Sequence, residues 1–278
     1  MRSTRISSDL EIEALASQTL KDYSLYQLPI DIFQLAKILE INLEPYPNTE
    51  GGIMGMLIRN KNDFTIIYST RINNLGLHRF TIAHEIGHYF LPEHVEQALK
   101  NGQHISNSKY KPWYEVEADY FATCLLMPKK LFKSEMSKFP DGLDAIKALS
   151  QIFNTSITAT AIRYAELADF PISVIFSTDG IIDFVKHSKP MFKLGRKLVM
   201  KGSQIPVSSK SSAIHTINMT FELPISLDIW CQCDSKISGH EIFINLGEYQ
   251  KRLTVITSNY ELDEDQEFEE EWEPPRFK

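Results

Sequence analysis

An α+β architecture is expected for this chain: a helix-rich N-terminal part carrying a small sheet, followed by a smaller β-rich part. Three features carry that expectation. Apolar residues recur at helical spacing through most of residues 1–170. Two short β-like runs within that region flank a polar turn. After Pro171 the pattern changes to short runs rich in Ile, Val, Thr and Phe, separated by turn residues. The 278 residues, 43% hydrophobic and 23% charged, suffice for two domains with a core of useful size. They exclude a wholly disordered, collagen-like or mucin-like chain.

The elements follow in order. Leu10, Ile12, Leu15, Ala16, Leu20 and Tyr23 set a helix over 9–24. Pro29 and Asp31 open a second, carrying Ile32, Leu35 and Ile38. Glu40–Pro47 reads as a short strand. Ile53–Arg59 and Phe64–Ser69 flank Asn60-Lys61-Asn62-Asp63 as a hairpin. Residues 77–91 form an apolar helix bearing histidines, and 98–111 a polar loop. A helix over 113–127 stops at Pro128, and helices over 129–138, 142–153 and 156–168 follow. Beyond Pro171, strands are expected at Ile172–Ser177, Ile181–Val185, Ser212–Leu223, Ile225–Cys233 and Glu241–Leu246. The resulting plan is a domain over 1–170, a β-rich domain over 171–260 and a disordered acidic tail over 261–278.

The net charge of −7 is a property of that tail, where nine acidic residues face only Arg276 and Lys278. The body is balanced, but the seven bases from Lys186 to Lys210 stand in a stretch without acids. They read as a solvated run or as a docking face for a partner or for the tail. Cys124, Cys231 and Cys233 are too few and too odd for a disulfide framework. Cys231 and Cys233 read as buried small residues in preference to a metal or redox pair. The start of the chain is basic, but Asp9, Glu11 and Glu13 interrupt any apolar leader, and no apolar run approaches membrane-spanning length. A cytoplasmic protein with no membrane association is the expectation.

The segment that carries chemistry is His84-Glu85-Ile86-Gly87-His88. Residues four apart on a helix lie on one face, so both imidazoles can reach one metal ion. Glu85 projects beside them, placed to take a proton from water. Gly87 costs helix stability, about 1 kcal/mol against Ala, and suggests close packing against a neighbour. A third ligand is needed. His94 completes an HExxHxxGxxH-like spacing, but Leu91 stands where that pattern turns at glycine. Glu115 is the alternative and the preferred one. The spacing Glu115-x-x-x-Asp119 puts a ligating carboxylate and a partner for a histidine's outer N–H on one helix face, the logic of gluzincin peptidases. Glu117 points elsewhere on that helix and is expected to be solvated or paired with a lysine. Two imidazoles and a carboxylate suit Zn2+, with Mn2+ as the alternative.

His84-Glu85-Ile86-Gly87-His88, followed by Glu115-Val116-Glu117-Ala118-Asp119-Tyr120-Phe121-Ala122 and Leu125-Leu126-Met127-Pro128, resembles the ImmA/IrrE metallo-endopeptidases. Leu28-Pro29-Ile30-Asp31 and Gly51-Gly52-Ile53-Met54-Gly55 add to the likeness, which spans about residues 10–170. It implies a zincin-like metallopeptidase domain with His84, His88 and Glu115 as metal ligands and Glu85 as catalytic base. Asp119 stands where the family has Asn or Asp. It also implies a cytoplasmic protease that cleaves a helix-turn-helix transcriptional repressor and so relieves repression. Some members carry a C-terminal GAF-type sensor domain, for which residues 171–260 leave room.

Competing readings are a DNA-binding protein and a metal-bound regulator that does not cleave. The helical pair around Asn154-Thr155-Ser156 has helix-turn-helix spacing, but Ser156–Leu167 holds Arg163 as its only base, which disfavours nucleic-acid contact. Tyr89, Tyr114, Tyr120, His78 and His94 are candidates to stabilise an oxyanion, and Phe64–Ser69 is the candidate edge for an extended substrate.

Overall fold

The computed structural model describes residues 8–47, 54–100, 112–209, 220–233, 236–246 and 251–260. The expected acidic tail and most of the loop at 98–111 lie outside the described residues, as do parts of the strands expected at Ile53–Arg59 and Ser212–Leu223. The chain is α+β and divides into two compact units, Met1–Leu167 and Ala168–Lys278.

In the first unit, α1 (Asp9–Asp22) opens on a capping box: the Ser8 hydroxyl accepts from Glu11 N–H and the Glu11 carboxylate reaches back to Ser8. Asp31 caps α2 (Ile32–Ile38) through Gln34 N–H. Strands β1 (Ile41–Tyr46), β2 (Gly55–Asn60) and β3 (Asp63–Ser69) form a sheet in the order β1-β3-β2. The β2–β3 pair is the hairpin, turning at Lys61 with φ 59°. The sheet corrects one expectation. Residues 64–69 pair with β1 on one side and β2 on the other, so this strand is central and β2 is the edge.

Next come α3 (Leu75–Phe90), α4 (His94–Lys100) and α5 (Trp113–Leu126). Helix α4 occupies the start of a stretch that reads as a polar loop. The helices α6 (Lys129–Met136), α7 (Leu143–Phe153) and α8 (Ile157–Leu167) complete the unit. Its core joins Ile12 and Leu20 of α1, Leu35 of α2, Ile66 of β3, Ile82 and Ile86 of α3 and Phe121 of α5. Helix α3 is covered on almost every side, which explains why its apolar residues do not form a single stripe. Its N-terminal half is tied down by Arg79, which donates to the carbonyls of Ile30 at 2.7 Å and Asn154 at 3.1 Å.

Arg163 of α8 is fully buried. It donates to the Met127 carbonyl and pairs with Glu13 of α1 and with Glu166, which in turn accepts from Tyr120. The one base of the helix with helix-turn-helix spacing is therefore a structural cation inside the fold.

The second unit is built on an antiparallel sheet in the order β5-β4-β10-β9-β7, from β4 (Ile172–Thr178), β5 (Ile181–His187), β7 (Thr220–Ser226), β9 (Ser238–Leu246) and β10 (Lys251–Thr257). A short helix α9 (Lys189–Leu194) follows β5, and β6 (Lys197–Leu198) pairs with β8 (Cys231–Gln232). Residues 225–233 are not one strand. A 3-10 turn at Leu227–Ile229 interrupts them, because Leu227, Trp230 and Cys231 are all buried and adjacent residues of a strand face opposite ways. Cys231 is buried, Cys233 partly so, and their sulfurs lie 2.8 Å apart as free thiols. No helix among the described residues is long and apolar enough to cross a membrane.

Replacing Arg163 with Ala should lower unfolding free energy by about 3–5 kcal/mol, because Glu13 and Glu166 are left without their buried cation. Urea denaturation of the variant against the parent chain measures this.

Candidate metal centre

Two helices bring the site together. Helix α3 starts at Asn74, whose side chain accepts from Leu77 N–H, and runs unbroken through His84, Glu85 and His88. Helix α5 packs along it. At Gly87 a Cβ would lie 3.3 Å from Ala118 Cα and 3.2 Å from Phe121 Cδ1, tighter than ordinary contact. A glycine there lets the helices approach closely enough for short side chains from both to meet.

His84, His88 and Glu115 converge, each offering one atom within 4.8 Å of the others. His84 Nε2 is 3.1 Å from His88 Nε2 and 3.2 Å from Glu115 Oε2, and His88 Nε2 is 3.5 Å from Glu115 Oε1. His84 Nδ1 is 2.8 Å from Asp119 Oδ1. An ionised carboxylate only accepts, so the His84 proton sits on Nδ1 and its Nε2 presents a lone pair. That lone pair faces a second ring nitrogen and a carboxylate, an electron-rich cluster that calls for a cation. The donor set, two imidazole nitrogens and a carboxylate with an outer partner on His84, fits a divalent metal ion.

Without metal, a proton takes that part. Burial works to lower the His84 pKa, but the hydrogen bonds to Asp119 and Glu115 and the charge of Glu85 outweigh it, and it rises to about 9. Glu85 is almost wholly buried and lies against β2. A Cβ on Gly55 would collide with Thr81 and come within 2.8 Å of Glu85 Oε1.

His94 is not brought into this cluster. The chain turns at Leu91-Pro92-Glu93, with Glu93 at φ 68°, and returns His94 to the far side of the His88 ring. There His94 Nδ1 lies 3.1 Å from His88 Nδ1, the nitrogen opposite the one that faces Glu115. Burial lowers the His94 pKa, against the hydrogen bond that His94 makes to the Glu117 carboxylate. Glu117 is not a solvated side chain. It is buried, with Oε2 3.0 Å from His94 Nε2. Sequence reasoning missed this pairing because helical spacing places Glu117 off the Glu115–Asp119 face, and the turn that swings His94 around carries no glycine signal.

Of the other candidates, Tyr120 donates to Glu166, His78 contacts the Ile72 carbonyl, and Tyr89 packs edge-on to Phe64. Tyr114 leans on both His88 and His94, with ring centroids 6.2 and 6.3 Å away.

The His84 shift predicts a pH dependence. A folded pKa raised from 6.5 to about 9 contributes stability that is present below pH 6.5 and lost as pH rises through 9. The thermal midpoint of chelator-treated protein should fall across that window, while the increment from added zinc should grow there, because ligands must deprotonate to bind it. Thermal scans with and without zinc measure both trends. His94, shifted downward, acts below its ordinary value and outside this window.

Comparison with known proteins supplies the remaining findings. No curated protein matches. Among solved structures, a Mycobacterium tuberculosis transcriptional regulator aligns over 89% of this chain and 75% of its own, with a TM-score of 0.60 and 12% identity, a likeness of fold. The family model described as the IrrE N-terminal-like domain, Peptidase_M78, matches residues 52–164. That span runs from the hairpin into α8 and contains His84, Glu85, His88, Glu115 and Asp119, so the segment that holds the cluster is the one that matches the IrrE N-terminal-like metallopeptidase domain.

Proposed function

We propose that this chain is a cytoplasmic zinc-dependent endopeptidase whose substrate is a helix-turn-helix transcriptional repressor, cleaved to relieve repression. The observation that carries the reading is the convergence of His84, His88 and Glu115 beside a buried Glu85, inside the segment that matches the peptidase family. The repressor as substrate follows from the family resemblance. The C-terminal sheet suits the role of a sensor or interaction domain.

In this reading His84, His88 and Glu115 hold the ion, with zinc preferred and manganese compatible with the same donors. When bound, the ion supplies Lewis acidity that polarises the scissile carbonyl and lowers the pKa of water. Glu85 takes the proton from the attacking water and returns it to the leaving amine. Asp119 fixes the His84 ring through Nδ1–H. An extended peptide finds its partner in β2, which among the described residues pairs only with β3 and whose Gly55 end abuts Glu85.

The test incubates the zinc-loaded chain with purified helix-turn-helix repressors, any encoded in a neighbouring gene first, and identifies fragments by mass spectrometry. Glu85→Gln should retain zinc and lose cleavage by about 10²–10⁴-fold. Full cleavage by the variant removes Glu85 as base. Zinc binding with no cleavage by the parent chain favours the non-cleaving regulator.

Gly55→Ala supplies an independent check. The added carbon must push Thr81 and Glu85 aside, so cleavage should drop by about 10²-fold with zinc content unchanged.

A further inference from the structure

We propose that His94 and Glu117 are positioning residues, forming a one-way hydrogen-bond relay that holds His88 with its Nε2 lone pair on the metal centre. The inference rests on the reading of His84, His88 and Glu115 as that centre. Its own basis is a continuous buried chain of groups outside it. His88 and His94 are fully buried and the Glu117 side chain is 11% exposed. The contacts run from His88 Nδ1 to His94 Nδ1 at 3.1 Å and from His94 Nε2 to Glu117 Oε2 at 3.0 Å. Trp113 packs edge-on to the His94 ring at 5.3 Å between centroids, and Tyr114 covers both imidazoles.

With His94 neutral and a metal ion shared by the Nε2 atoms of His84 and His88, the protons in this chain have one consistent arrangement. Glu117 as a carboxylate can only accept, so His94 carries a proton on Nε2. With that proton placed, a neutral His94 offers Nδ1 as an acceptor. Two ring nitrogens at 3.1 Å need one proton between them, and His88 supplies it from Nδ1. A neutral His88 with its proton on Nδ1 has a bare Nε2, and this is the nitrogen that faces His84 and Glu115. Reversing the chain breaks the site. If His94 donated to His88, His88 would carry its proton on Nε2 and could not be a ligand.

The two histidines of α3 are thus oriented by different means. His84 meets Asp119 directly, whereas His88 meets Glu117 through a second imidazole. The residue that sequence spacing offers as a rival third ligand is assigned to the outside of the second one. A buried partner on the outer nitrogen restricts the ring and raises its basicity, an effect worth about 10–100-fold in metal affinity.

The experiment uses the full chain, labelled with 15N-histidine and loaded with Zn2+. Long-range proton–nitrogen correlation reads each ring's tautomer without any substitution. The expected result is His88 protonated on Nδ1 and His94 on Nε2. Zinc bound with either ring in the other tautomer overturns the relay while leaving the metal centre in place. A chain that binds no zinc overturns the metal-centre reading and the relay with it.

Variants give a second readout. By chelator competition, His94→Ala should weaken zinc about 10–100-fold. Glu117→Gln, whose amide oxygen still accepts from Nε2–H, should weaken it less. The double variant should lose no more than His94→Ala alone. The visible spectrum of the Co2+-substituted chain should keep its coordination pattern in His94→Ala and change it in Glu115→Ala. Unchanged zinc affinity in His94→Ala overturns the relay, and a changed cobalt coordination pattern makes His94 a ligand instead.

Discussion

The separation between α3 and α5 is set at Gly87, where one added carbon would press on both the backbone of Ala118 and the ring of Phe121. His84 and His88 flank Gly87 in sequence and Glu115 lies on the other helix, so the cluster closes only if the helix axes stay this near. The glycine costs its helix about 1 kcal/mol relative to alanine. The core that surrounds it, from Ile82 and Ile86 to Phe121 and Leu125, offsets that loss and keeps the approach rigid.

Bringing the helices together also buries an unusual density of polar groups. Arg79, Glu85, His88, His94 and Glu117 all sit inside the N-terminal unit. Each would be costly if left to an apolar interior. The fold meets that demand with specific partners: backbone carbonyls for Arg79, Asp119 for His84, Glu117 for His94. The Arg163 network with Glu13, Glu166 and Tyr120 does similar work where α8 meets α1 and α5, and it keeps the last helices of the unit in place behind the site.

Much of the N-terminal unit could be read from the chain itself. Helical periodicity marked α1, α2 and α5 to α8, and Asn60 to Asp63 marked the hairpin turn, because these elements follow local rules. The pairing of His84 with His88 was legible because helix geometry fixes what lies one turn apart, whereas Glu115, on another helix, was reached through the Glu115-x-x-x-Asp119 spacing and the family resemblance, with His94 as its rival. Strand order was not legible, since it depends on pairing partners distant in sequence; β3 alone gives no sign that β1 will run parallel to it. The position of His94 depends on a turn at Glu93, a non-glycine residue in left-handed conformation, which local pattern does not announce. In the second unit β10 went unrecognised because it is central and buried on both faces, so Arg252 and Thr254 lie inside beside Leu253 and Val255 and no alternation survives.

The outer carboxylates of the two α3 histidines differ in their access to solvent: the Asp119 side chain is 37% exposed and that of Glu117 only 11%. Bulk water can stand in for Asp119 when thermal motion separates it from His84, and it has little access to do so for Glu117. The His84 ring is therefore the more loosely held of the two, and the His88 ring the better enclosed.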